Sequence, residues 1–204
     1  RHTYLRRPDL GRQLADESRA DLAASGVRPA DLLLVIGDGL SSWAVERQAV
    51  PLIRALLPWL QTLGIGLAPV VLAHQSRVAL GDDIGETLKA RAVAILIGER
   101  PGLSSPDSLG VYLTWQPHRQ RLESERNCIS NIRPEGLSHD AAAFKLAWLL
   151  EQEPEGATDE LLYWFSRLSR ESRFQRERLE RRQYLTREHE VSLASFALVG
   201  QPNG

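Results

Sequence analysis

The chain has 204 residues, 43% of them hydrophobic and 25% charged, and a formal net charge of -1. This length and balance suit one substantial hydrophobic core, with room for an appendage, in an ordinary soluble globular protein. A charge so close to zero gives no support to nucleic acid or a membrane surface as a partner, and no apolar run approaches the ~20 residues that span a bilayer.

The chain opens at Arg1 without a signal peptide and contains no methionine, so it reads as a fragment, a processed chain or a chain missing its natural start. Residues 9–26, "DLGRQLADESRADLAASG", have helical spacing: Leu10, Leu14 and Leu22 mark an apolar face and Gly26 is a suitable stop. Residues 30–42, "ADLLLVIGDGLSS", form a short continuous apolar run closed by Gly-Asp-Gly, the pattern of a buried parallel strand with a loop at its carboxyl end. Residues 42–64 read as helix, with Pro51 and Pro58 as points of breakage or kinking. A second strand is expected within 66–75, a short helix over 81–91, and a third strand at 92–98, "AVAILIG". Residues 110–117, "GVYLTWQP", alternate and are rich in β-formers, giving a fourth strand. Residues 126–137 read as polar loop, and 138–153 as a helix capped by Ser138.

This alternation predicts an α/β fold: a Rossmann-like, mostly parallel sheet flanked by helices, spanning residues 1–153. The character changes after Pro154. Residues 159–190 read as a charged helix with an apolar stripe of Leu161, Trp164, Phe165 and Leu168, so 154–204 forms a C-terminal helical extension of unassigned role.

In a parallel sheet, ligands bind beyond the carboxyl ends of the strands, which is where Asp38, Glu99 and Arg100 fall. The turn "GDGLSS" at 37–42 has the form of a weak phosphate cradle, but Ser42 stands where a dinucleotide fingerprint needs its third glycine. Asp38 suits a ligand contact and a helix cap equally. Glu99 and Arg100 are more unusual, because charges at the end of a buried strand must be solvated, paired or committed to a ligand. The Pro101–Gly102 turn fixes where they point, and on chemistry alone structural and ligand roles balance. Asp82 and Asp83 at the start of a helix suit capping better than acid–base work. Cys128 is the only cysteine, which excludes an internal disulfide and fits a reducing compartment. A catalytic thiolate would need His118 or His139 as its base, so Cys128 reads better as a small, soft pocket wall. With five scattered histidines the sequence shows no metal-ligand spacing.

Five segments taken in order, "YLRRPDLGRQL", "DLLLVIGDGLSS", "APVVLAHQSRVALGDDIGE", "AILIGERPGLSSPDSLGVYLTW" and "ERNCISNIRPEGLS…AAFKLAWLL", resemble the small (light) subunit of ethanolamine ammonia-lyase over roughly residues 4–150. The resemblance implies an adenosylcobalamin-dependent lyase that converts ethanolamine to acetaldehyde and ammonia by a radical route. It also implies a hetero-oligomer with a barrel-shaped large subunit, in the bacterial cytoplasm and often linked to microcompartments. The cofactor would lie between the two chains, and the substrate on the large one. Carried over by motif, the implied cobalamin contacts fall on Val78, Glu99 and Cys128, with Arg77 and Arg100 as secondary candidates for the nucleotide phosphate or for holding Glu99. No catalytic residue and no metal ligand is expected in this chain. Gln75–Ser76 departs from the family's usual pair before Arg77, and the segment after about residue 153 departs from the family's short ending. Two other readings stand beside this one: a stand-alone α/β enzyme holding a nucleotide at "GDGLSS", and a non-catalytic module that docks a partner through residues 159–190.

Overall fold

The computed structural model describes residues 5–99, 105–152 and 197–199. The chain divides into two compact units, Arg1–Trp148 with Ser195–Gly204, and Leu149–Ala194. Only residues 149–152 of the second unit are described, so the expected helix at 159–190 lies outside the described residues.

The first unit is α/β. Its strands are β1 (Leu32–Gly37), β2 (Val71–Ala73), β3 (Ala92–Gly98), β4 (Leu109–Trp115), β5 (Asn127–Ile132) and β6 (Ala197–Val199), in the order β5-β4-β3-β1-β2-β6. The sheet is mixed: β1 runs parallel to β2 and β3, and β6 parallel to β2, whereas β4 is antiparallel to both β3 and β5. The centre follows directly from sequence. β3 is buried at every position and β1 at all but one, as continuous apolar strands covered on both faces must be.

Among the described residues, four α-helices accompany the sheet: α1 (Asp16–Ala24), α2 (Ser42–Leu63), α3 (Leu80–Thr87) and α4 (His139–Glu151). Leu33 and Val35 of β1 and Val93, Ile95 and Ile97 of β3 share one core cluster with Leu22 of α1 and Ile84 of α3. The alternate residues, Leu32, Leu34, Ala94 and Leu96, point to the opposite face, where α2 packs against β1, β3 and β4. Trp59 of α2 meets Phe144 of α4 edge to face, with ring centres 5.2 Å apart.

Three local expectations are corrected. The helix expected over 9–26 is interrupted: a 3-10 turn at Leu10–Arg12 is followed by extended Gln13 and then α1. Tertiary partners win there, since Gly11 O accepts from the Arg77 N–H and the Leu14 N–H donates to Asp83. Pro51 and Pro58 do not break α2, which runs 22 residues from its Ser41 cap to a left-handed Gly64. Arg47, Pro51 and Arg54 are exposed, so the carbonyls of Arg47 and Arg54 that lose an intrahelical donor belong to the solvent face. Finally, part of the "polar loop" at 126–137 is the strand β5. Only Ile129 and Ile132 are buried in it, and an irregularity in the pairing with β4, beside left-handed Asn131 (φ 59°), spoils the two-residue alternation.

Candidate functional site

The loops at the carboxyl ends of β1, β2 and β3 are stitched to one another. Asp38, just past β1, accepts from the Ser76 N–H at 3.1 Å and from its hydroxyl at 3.4 Å. The Leu40 N–H donates to Gly98 O at 2.9 Å, joining the β1 loop to the end of β3. The approach there is so close that a Cβ on Gly98 would collide with the Ser41 carbonyl. The Ser41 hydroxyl caps α2 by accepting from Ala44 N–H and donates to Pro106 O at 2.7 Å, while Gln48 Nε2 donates to Asp107 O at 3.3 Å. The chain returning toward β4 is thereby fixed against the start of α2.

These bonds settle the role of "GDGLSS". The helix cap is Ser41, and Asp38 serves as the tie to Ser76. The N–H groups of Asp38, Gly39 and Leu40 are taken by Ala73 O, Ser76 Oγ and Gly98 O respectively. Donors already committed in this way do not form a phosphate cradle, which argues against the nucleotide reading.

Glu99 follows β3 on the face that carries Ile95 and Ile97. Across the antiparallel pair with β4, Ile97 faces Gly110 and Ile95 faces Tyr112. The Glu99 side chain folds back over Gly110, where a Cβ would lie 2.5 Å from its carboxyl carbon, and Oε1 accepts from the Tyr112 hydroxyl at 2.7 Å. Tyr112 in turn faces Cys128 on β5. Burial, then the Glu99 hydrogen bond and charge, push the Tyr112 phenol well above its ordinary range, so it remains a donor at any physiological pH. Cys128 is exposed as a residue, yet partial burial of the thiol raises its pKa; the nearby Tyr112 hydroxyl opposes that rise and the Glu99 charge adds to it. A thiol held protonated is a poor nucleophile. His139, one of the two candidate bases, is bonded to Gln48 at 2.8 Å.

Val78 lies in the loop between β2 and α3, and both Val78 and Tyr112 pack half-buried on the same core cluster. The structure therefore brings Glu99 and Cys128 to Tyr112, one by a hydrogen bond and the other as a cross-strand neighbour, and sets Val78 against the apolar floor that Tyr112 also touches. Arg77 stands beside Val78, with its N–H bonded to Gly11 O and its Nε buried. Arg100, Pro101 and Gly102 lie outside the described residues.

Tyr112 was missed by sequence reasoning. The signal was present in the alternation of "GVYLTW", which puts Gly110 and Tyr112 on one face, but only the β3–β4 register shows that this face lies under Glu99. Asp82 and Asp83 are also reassigned. They sit in the first turn of α3, whose cap residue is Ala79, and neither caps it. Asp82 pairs with Arg126 at 2.6 Å and Asp83 pairs with Arg19, all but the Arg19 side chain being almost fully buried. Among the described residues, no helix is long and apolar enough to cross a membrane.

The family model of the ethanolamine ammonia-lyase light chain matches residues 1–157. The chain belongs to that family. The small subunit of ethanolamine ammonia-lyase from Rhodopseudomonas palustris is 58% identical over 152 residues, an alignment covering 74% of this chain and 58% of that protein. The small subunit from Bradyrhizobium diazoefficiens is 58% identical over 153 residues, covering 74% and 59%, and that from Ralstonia nicotianae 52% over 155 residues, covering 74% and 57%. The chain thus spans less than two thirds of the length of these curated relatives. A second family model, that of a putative Mks condensin complex protein (MksB), matches residues 138–201, a minority of the chain that overlaps the light-chain match over 138–157.

Proposed function

We propose that this light-chain family member is the cofactor-holding partner of an adenosylcobalamin-dependent ethanolamine ammonia-lyase, covering the cobalamin against a large subunit that binds the substrate. The reading rests on one observation above all. Glu99 and Cys128, 29 positions apart in sequence, meet at Tyr112 on one face of the sheet, Glu99 through the Tyr112 hydroxyl and Cys128 as its cross-strand neighbour, close to the carboxyl edge where α/β folds take their ligands.

The chemistry of this set fits the group. The rim of a corrin carries amide side chains, and a fixed carboxylate such as Glu99 accepts hydrogen bonds from amide N–H groups. The corrin face is apolar and polarizable, suiting Val78 and the uncharged Cys128 thiol. Arg77 and Arg100 have the guanidinium chemistry for the nucleotide phosphate. When bound, the cofactor supplies the radical that abstracts hydrogen from the substrate. This chain's residues bind it, orient it and exclude water from its face. We read the parallel β2-β1-β3 centre as Rossmann-like in the same sense.

The test is to produce the chain with a large subunit of ethanolamine ammonia-lyase, then measure adenosylcobalamin retained after gel filtration and acetaldehyde and ammonia released from ethanolamine. Retention that depends on both chains is expected, and Glu99→Ala is expected to weaken binding while leaving the fold intact. A folded pair that retains no cobalamin, or a Glu99→Ala pair of unchanged cofactor affinity, would overturn the reading.

A further inference from the structure

We infer that Tyr112, acting across the bare Cα of Gly110, is a positioning residue that fixes the direction of the Glu99 carboxylate. The inference rests on the reading of Glu99 as a cofactor contact and adds a device that emerges only from the β3–β4 register.

Glu99 stands one residue beyond β3, where the last pairing is Gly98 with Leu109. A glutamate there has three side-chain torsions and an open strand end before it, so its carboxylate would sample solvent unless held. Two features hold it. The first is the missing side chain of Gly110, since any Cβ there would overlap the Glu99 carboxylate. The second is the Tyr112 hydroxyl, which anchors Oε1 at 2.7 Å and leaves Oε2 without a hydrogen-bond partner among the described residues. Tyr112 is itself fixed by the sheet: its ring packs on the core cluster, and its backbone is paired to Ile95 on one side and Cys128 on the other. A rigid ring on a central strand is a firmer anchor than a loop residue, and pre-organising a ligand group in this way raises affinity without adding a contact to the ligand.

The test is a double-mutant cycle on the complex with the large subunit, titrated with adenosylcobalamin and followed by its absorbance change, with thermal melts confirming that each variant folds. Glu99→Ala is expected to weaken binding about 10-fold or more, and Tyr112→Phe about 3- to 10-fold, the range of a charged hydrogen bond lost in full or misdirected. In the Glu99→Ala background Tyr112→Phe should add little, because it acts through Glu99. Gly110→Ala should mimic Tyr112→Phe. If Glu99→Ala weakens binding but Tyr112→Phe does not, or if Tyr112→Phe weakens it equally in both backgrounds, Tyr112 is not a positioning residue. If Glu99→Ala itself changes nothing, the cofactor reading fails, and this inference with it.

Discussion

Arg126 and Asp82 meet at 2.6 Å with their side chains 4% and 2% exposed. Arg126 precedes β5, and Asp82 lies in the first turn of α3, so the pair ties an edge of the sheet to the helix beneath β3. Both the Nε and Nη2 of Arg126 donate to the same Asp82 oxygen, and Nη2 also donates to Arg121 O. A buried pair of this kind adds little net stability over an apolar replacement, but stranding one charge is severe. Asp82→Ala is therefore expected to lower unfolding stability by about 3–5 kcal/mol, measured by urea denaturation. Asp82→Ala with Arg126→Met should recover most of that loss. Removal of the exposed Arg7–Asp9 pair should leave the urea midpoint where it was.

The neighbouring carboxylate governs a different segment. Asp83 accepts from the Leu14 N–H at 2.7 Å and pairs with Arg19 of α1, so one buried side chain holds the chain on both sides of the Ala15 that precedes α1. Asp83→Ala should speed hydrogen exchange of the Leu14 amide by at least tenfold, since about 1.4 kcal/mol of lost protection is a factor of ten. Amides in β3 should change much less. Equal acceleration at both places would mean that the variant unfolds the molecule globally and that Asp83 has no local tethering role.

How far the sequence reveals this molecule depends on whether a feature is local. β1 and β3 are legible because burial on both faces leaves an unbroken apolar run, and Ser138 is legible as a cap, its hydroxyl oxygen accepting from the Ala141 N–H as expected. β5 is hidden because its two buried isoleucines are three apart. The Asp82 and Asp83 partners are hidden because they lie 44 and 64 positions away. In the candidate site, Glu99 and Cys128 are legible as members of family motifs, and the balance of Glu99 between ligand and structure could not be resolved from charge alone. Tyr112 is legible only once the register of β3 with β4 is known.

Pro51 offers a gain. It occupies an exposed position inside α2 and deprives the Arg47 carbonyl of its helical donor. Proline in a helix interior costs up to about 3 kcal/mol relative to alanine, and part of that returns as reduced freedom of the unfolded chain. Pro51→Ala should raise stability by about 1–2 kcal/mol, seen as a higher melting temperature. A lower one would show that the proline supports a packing contact.

The Cys128 thiol gives the pH prediction. Its pKa is raised first by burial, and the Glu99 charge pushes it further the same way, against the opposing influence of the nearby Tyr112 hydroxyl. A raised thiol pKa means less thiolate at any given pH, so alkylation by iodoacetamide at pH 7.5 should be slower than for a free cysteine, with the midpoint of its rate–pH profile above that of the free thiol. Glu99→Gln removes the negative neighbour while keeping the side chain's size. It should shift the midpoint downward and raise the rate at fixed pH, because the thiolate no longer faces a like charge. A wild-type midpoint at or below that of free cysteine would contradict the protonated-thiol account of the site. A Glu99→Gln midpoint that moves upward would show that the carboxylate stabilises the thiolate indirectly, by ordering Tyr112, more than it repels it.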